Sequence, residues 1–292
     1  MRRYIRPWAD PWHDRRHEFR AAVDDLSTQL PKRLSSMRLS CWRPDFWSCE
    51  EQTRRMPNLL GDDNEDPVSV ALRTLAAPLE GLNVRAILTP DIFRPPVAWP
   101  RMRRLKVEFN LLSPDGTWYF AGPRDEDPFG DEGGFAVDNE KHYPSTTTSS
   151  AEDKEADESW PEFRTESKPD KVEPPLLAYA AAPRGMPALE EAELFARLSW
   201  QPSEERLLAY RDANGELEVP HDVANPHFLW RIKYVPGAEG KKGLLTWQVG
   251  DWRPDEKVIQ AFEAVGGENG IEVEWKEFEY LPLGTKGDDE VA

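Results

Sequence analysis

Cysteine is almost absent: Cys41 and Cys49 are the 2 in 292 residues, which excludes a disulfide framework and fits a reducing compartment. Their separation is neither a metal-ligand spacing nor a Cys-x-x-Cys redox pair, so two half-buried thiols are expected. There is no apolar run long enough to span a bilayer. The opening Met1-Arg2-Arg3-Tyr4-Ile5-Arg6-Pro7 has no apolar signal-peptide region. These absences place the chain inside the cell, in cytoplasm or nucleus, with no membrane partner. Positive charge is also short. Against 54 Asp and Glu stand 37 Lys and Arg, a net charge of -17, which argues against nucleic acid because phosphate binding needs a basic face.

Catalytic signatures are missing as well. No glycine-rich phosphate loop, Gly-x-Ser-x-Gly elbow or His-Glu-x-x-His element occurs. His13 and His17 have the spacing that puts two ligands on one helix face, but no third ligand is near in sequence and a solvated face is the expectation. The chain is therefore read as a non-enzyme, with no catalytic residue, cofactor or metal.

What is present is a recurring pattern: apolar, two residues, apolar, one residue, apolar. It appears as Leu34-x-x-Met37-x-Leu39, Leu79-x-x-Leu82-x-Val84 and Met102-x-x-Leu105-x-Val107, with a looser copy, Met186-x-x-Leu189-x-x-Ala192-x-Leu194. Each copy follows a helix-like segment. This is the strand signature of a leucine-rich-repeat-like unit, in which a strand lines one face and a helix closes the other. The expected fold is α/β: an irregular, leucine-rich-repeat-like curved sheet with helices on one side, ended by a C-terminal strand–helix–strand cap.

The first helix is expected over His13–Leu30, capped by Asp10, with Phe19, Val23, Leu26 and Leu30 at helical spacing. Arg2, Arg3, Arg6, Arg15, Arg16 and Arg20 read as a solvated basic arm. Strand Leu34–Trp42 follows, then a helix opened by Asp66-Pro67 and strand Leu82–Leu88. Strand Leu105–Leu112 turns through Ser113-Pro114-Asp115-Gly116 into Thr117–Phe120 as a hairpin. Residues 124–175 hold about 16 acidic and 6 basic side chains, too polar to offset ordering entropy, and read as a disordered acidic insertion with Trp160 and Phe163 pinned at its end. Order resumes at Leu176 with a helix to Ala182, a strand region to Leu198 and a helix Ser203–Tyr210. Strand Phe228–Val235 pairs with Leu244–Val249, and helix Asp255–Val265 and strand Ile271–Tyr280 complete the chain. The division is thus 1–123, 124–175 and 176–292.

Several longer stretches resemble a family of fungal F-box-like proteins. They are 66–73 (Asp66-Pro67-Val68-Ser69-Val70-Ala71-Leu72-Arg73), 99–109 (Trp99 to Phe109), 114–120 (Pro114 to Phe120), 186–195 (Met186 to Phe195) and 247–254 (Trp247 to Pro254). The resemblance implies the substrate-recognition region of a ubiquitin-ligase receptor, binding a protein substrate or adaptor. The F-box itself is not recognisable, because Leu30-Pro31-Lys32-Arg33 matches only the first two letters of its Leu-Pro-x-Glu-like opening. A cullin adaptor therefore stays open as a partner.

In a solenoid strand the residues between the apolar positions line the exposed sheet. That selects Arg38, Ser40, Asn83, Arg85, Lys106, Glu108, Glu193 and Phe195 as a mixed-charge protein-binding shelf, more basic towards its N-terminal side. Charge reversal at Arg85 or Lys106 is expected to weaken a partner without unfolding the chain. Twelve tryptophans, among them Trp99, Trp118, Trp247 and Trp252, read as core plugs between layers. Two other readings remain: a small-molecule enzyme with a scattered active site, and a truncated copy without function.

Overall fold

The computed structural model describes residues 12–27, 31, 33–41, 52–61, 63, 65–95, 98–130, 132–136, 161–211, 214–238 and 240–281. In chain order it begins with helix α1 (Trp12–Ser27), strand β1 (Ser36–Ser40), a short β2 (Pro57–Asn58), helix α2 (Pro67–Ala76) and strands β3 (Gly81–Ala86) and β4 (Arg104–Phe109). Three short strands follow, β5 (Phe120–Ala121), β6 (Phe135–Ala136) and β7 (Glu166–Ser167). The remainder is α3 (Pro169–Ala181), β8 (Glu191–Ser199), α4 (Glu204–Ala209), β9 (His227–Val235), β10 (Gly243–Gln248), α5 (Glu256–Glu263), β11 (Ile271–Trp275) and β12 (Glu279–Tyr280).

The main sheet runs β1-β3-β4-β8-β9-β10-β11, with β12 paired to β9. The first three junctions are parallel, the next two antiparallel, and β10 with β11 parallel again. This is a mixed α/β architecture with an open, mostly parallel sheet. Helices α2, α3 and α5 fall before or between its parallel strands, as crossover connections require.

The apolar pattern sets the register. Met37, Leu82, Leu105 and Ala192 lie on one rung, and Leu39, Val84, Val107 and Leu194 on another. The fourth copy keeps the same spacing once it is started at Leu189 instead of Met186. Strand entry is equally regular. The Ser35 carbonyl accepts the amides of Glu80 (2.6 Å) and Gly81 (3.0 Å), and the Glu80 carbonyl those of Arg103 (2.7 Å) and Arg104 (3.0 Å). The Arg103 carbonyl does the same for Glu190 (2.7 Å) and Glu191 (3.0 Å).

The rung residues share one core with Leu72 and Leu75 of α2, Leu176 and Tyr179 of α3, and Val258 and Phe262 of α5. Across the rest of the sheet, Trp230, Ile232 and Trp247 continue that same face. Burying each such side chain stabilises the fold by roughly 1.5–3 kcal/mol. Trp99 and Trp118 are buried as core plugs, and the Trp99 indole N–H donates to the Arg73 carbonyl at 2.9 Å.

Two buried arginines hold the connections. Arg16, expected in a solvated arm, is buried and joins α1 to α2: its Nε donates to Asp66 Oδ1 (2.8 Å) and its Nη2 to the Ile87 carbonyl (2.9 Å). Asp66 also caps α2, accepting the amides of Val68 and Ser69. Arg164 does similar work elsewhere, donating to Asp127 (2.9 Å) and to the carbonyls of Gln52 (3.2 Å) and Phe120 (3.0 Å).

The Arg164 contacts correct the expected disorder at the two ends of residues 124–175. Residues 131 and 137–160, Trp160 included, lie outside the described residues, but both flanks are ordered. Phe163 and Arg164 are fully buried, Lys168 donates to Asp127 at 2.9 Å, and β2–β6 and β5–β7 tie the flanks to the body. The acidic composition hid the burial of Arg164 beside Phe163.

Other boundaries also move. Helix α3 begins at Pro169, well before Leu176; Pro174 and Pro175 remove amide donors beside exposed Asp170, where water can replace them. The strand expected over Leu105–Leu112 ends at Phe109, and the turn beyond it closes through a Leu112–Trp118 bridge. Gly116 (φ 81) is required there, since a Cβ would lie 2.5 Å from Gly134 Cα. The strand expected over Ile271–Tyr280 breaks into β11 and β12. Asp10 and Leu30 lie outside the described residues.

Neighbouring residues on opposite faces make a direct test. Leu105→Ala should cost about 2–5 kcal/mol in urea unfolding, because it opens a cavity among the rungs. Lys106→Ala should cost under about 1 kcal/mol.

Candidate functional site

Strand side chains alternate, so fixing the apolar rungs against the helices sends every intervening residue to the other face. All eight residues selected from the sequence lie there. Arg38, Asn83, Lys106 and Glu193 form one row, continued by Lys233, Thr246 and Glu274. Ser40, Arg85, Glu108 and Phe195 form the next, continued by Arg231 and Gln248. None of these residues takes part in the core cluster.

Their exposure departs from expectation. Arg38, Ser40 and Lys106 are exposed and Asn83 half-buried, but Arg85 (9%), Glu108 (6%), Glu193 (5%) and Phe195 (3%) are buried within the face. Packing between neighbouring long side chains accounts for this. The Lys106 ammonium lies 5.0 Å from the Phe195 ring centroid and 3.3 Å from Glu193 Oε2, so its stem crosses the row beneath.

Ion pairs run from strand to strand. Glu108 Oε1 lies 3.0 Å from Arg85 Nε and 3.2 Å from Arg197 Nε. Glu193 is held by Lys106 and by Arg231 Nη1 at 3.2 Å, and Arg231 also donates to Glu279 and Gln248, each at 2.6 Å. Lys233 pairs with Glu191 at 2.8 Å. Burial pushes the Glu108 carboxyl above its ordinary value, outweighing the opposing pull of Arg85, Arg197 and Lys106.

Arg197, Arg231 and Gln248 were not selected from the sequence. The signal for Arg231 was present, since Trp230-Arg231-Ile232-Lys233-Tyr234 alternates cleanly. What was missing was the pairing of β9 with β8, which brings Arg231 beside Phe195.

The other candidates do not converge. His17 Nε2 is 2.8 Å from Asp63 Oδ2 on the surface, and the His13 side chain lies outside the described residues. Cys41, expected half-buried, is exposed, with local desolvation of the thiol outweighing Arg16 and pushing it above its ordinary value, and Cys49 is outside the described residues. Among the described residues no group of three or more His, Cys, Asp or Glu could hold a metal ion, and no helix is long and apolar enough to cross a membrane. The face offers charged and hydrogen-bonding side chains, packed over the buried Phe195 and Leu229.

No protein-family model, curated protein or solved structure matches the chain.

Glu108 carries a pH signature. With a native pKa above 4.5, the folded state holds its proton more tightly than the unfolded chain, so this group's contribution to stability falls as pH rises through that window. Glu108→Gln should remove that component, leaving a flatter stability curve from pH 4.5 upward in urea melts; an unchanged curve would mean that Glu108 titrates normally.

Proposed function

We propose that the chain is a non-enzymatic protein-binding module that recognises its partner through the open face of the main sheet. The single observation behind this is the register of four parallel apolar repeats, which gives all the helices' packing to one face and a continuous polar surface to the other. Exposed arginine and lysine side chains spread along an open sheet suit recognition of another macromolecule better than enclosure of a small substrate. On this reading the sheet is a short, irregular leucine-rich-repeat-like array, curved around its polar face, and β10–α5–β11 caps its end.

The F-box-like resemblance extends the proposal: the face would hold the substrate of a ubiquitin-ligase receptor, inside the cell, without nucleic acid or membrane. Cullin-adaptor docking would need a surface other than a recognisable F-box.

Arg85 is unsuited to testing this, because its reversal would set a second carboxylate against buried Glu108 and threaten the fold. Lys106→Ser removes an exposed charge and adds none beside Glu193. Tagged wild-type chain, purified from lysate with the proteasome inhibited, should bring down a specific protein, and Lys106→Ser should recover several-fold less of it at unchanged melting temperature. Adaptor recovered with that protein supports the receptor role, and partner without adaptor supports a stand-alone module. Equal recovery by wild type and variant, with Arg104→Glu equally silent, would contradict the face.

A further inference from the structure

The open face is divided by charge. On β1, β3 and β4 its side chains include Arg38, Arg85, Arg104 and Lys106 against a single acid, Glu108, which is buried and already flanked by Arg85 and Arg197. On β8 to β11 the balance reverses, with Glu191, Glu193, Glu272 and Glu274 against three cations. Arg85 is buried against Glu108, so the exposed cations of this end are Arg38, Arg104 and Lys106; Lys106 shares Glu193 with Arg231, and Glu191, across from Arg104, is held by Lys233. In a chain of net charge -17, three exposed cations at one end of a face stand against the prevailing field.

We infer that the β1–β3–β4 end of the open face takes an extended acidic segment of a partner protein, an inference that rests on the binding-face reading above. Arg104 and Lys106 are exposed and two residues apart on one strand, so their stems leave the sheet about 7 Å from each other. An extended peptide repeats its side chains at that same interval, so carboxylates at alternate positions meet successive cations. Arg38, in the Lys106 row, lies two strands away, about 10 Å across. The patch is too small to follow a polyanion, and its surroundings repel one, which favours a short acidic peptide over nucleic acid.

The probe is a random dodecapeptide library displayed on phage and selected on the full chain at low salt. Enriched peptides should carry Asp or Glu at alternate positions. A synthesised winner should lose about tenfold in affinity for the Arg104→Glu/Lys106→Ser double variant, an effect shared in part by Arg104→Gln. Both positions are exposed, and an unchanged melting curve verifies the fold. Enriched neutral peptides that weaken with Lys233→Ser but not with Arg104→Glu would overturn the acidic-segment inference and leave the face intact. Peptides indifferent to every one of these variants, or no enrichment, would overturn both. Tighter binding of a single-stranded oligonucleotide than of any selected peptide would overturn the inference in favour of nucleic acid.

Discussion

One constraint governs this molecule: four parallel strands joined with no slip in the phase of their apolar pattern. The carbonyls of Ser35, Glu80 and Arg103 each collect two amides from the next strand, so every copy enters the sheet at the same height. A slip of one residue anywhere would turn a full row of leucines and valines to water. The helices lock that phase from one side. Once they do, the chemistry of the other face follows from the letters between the apolar positions, and the antiparallel β9 and β10 extend the core face and the open face in the same phase.

The polar face is consequently built as a network. Glu108 and Glu193 are each held between cations from two other strands, and Lys106 roofs Phe195. Buried ion pairs contribute little net stability once desolvation is counted, and losing a buried partner such as Arg85 costs far more than the pair provides, whereas exposed Lys106 can go while Arg231 still holds Glu193. Such a network fixes side-chain positions more than it strengthens the fold. It separates the selected residues by role: Arg85, Glu108 and Glu193 hold the surface, while Arg38 and Lys106, joined by Arg104, which was not selected, present charge outward. The same separation appears away from the sheet, where Arg16 and Arg164 are buried clamps between segments and not surface charge.

Local periodicity made much of this legible. The spacing of Leu79, Leu82 and Val84, repeated at Met102, Leu105 and Val107, located two strands and their inward faces, and Asp66-Pro67 marked a helix start that the structure places at the same residues. All eight shelf residues could be assigned to one face for the same reason. Burial within that face could not be read, because it depends on which strand lies beside which: Phe195 is covered only because β4 brings Lys106 alongside. Long-range partners were equally invisible. Nothing near Arg164 in sequence announces Gln52 or Phe120, and nothing near Arg16 announces Asp66. Composition was the weakest guide, since the acidic average over 124–175 concealed the buried Arg164 and the helix that starts at Pro169.

The central claim is that partners meet the sheet and not the helices, and lysine reactivity reads it most directly. Lys106 (49% exposed) and Lys233 (34%) lie on the open face, while Lys257 (57%) lies on α5. Amine acylation of the recovered complex, quantified by mass spectrometry against the free chain, should show Lys106 and Lys233 protected and Lys257 unchanged. Protection of Lys257 with Lys106 still reactive would place the partner on the helical side and contradict the account.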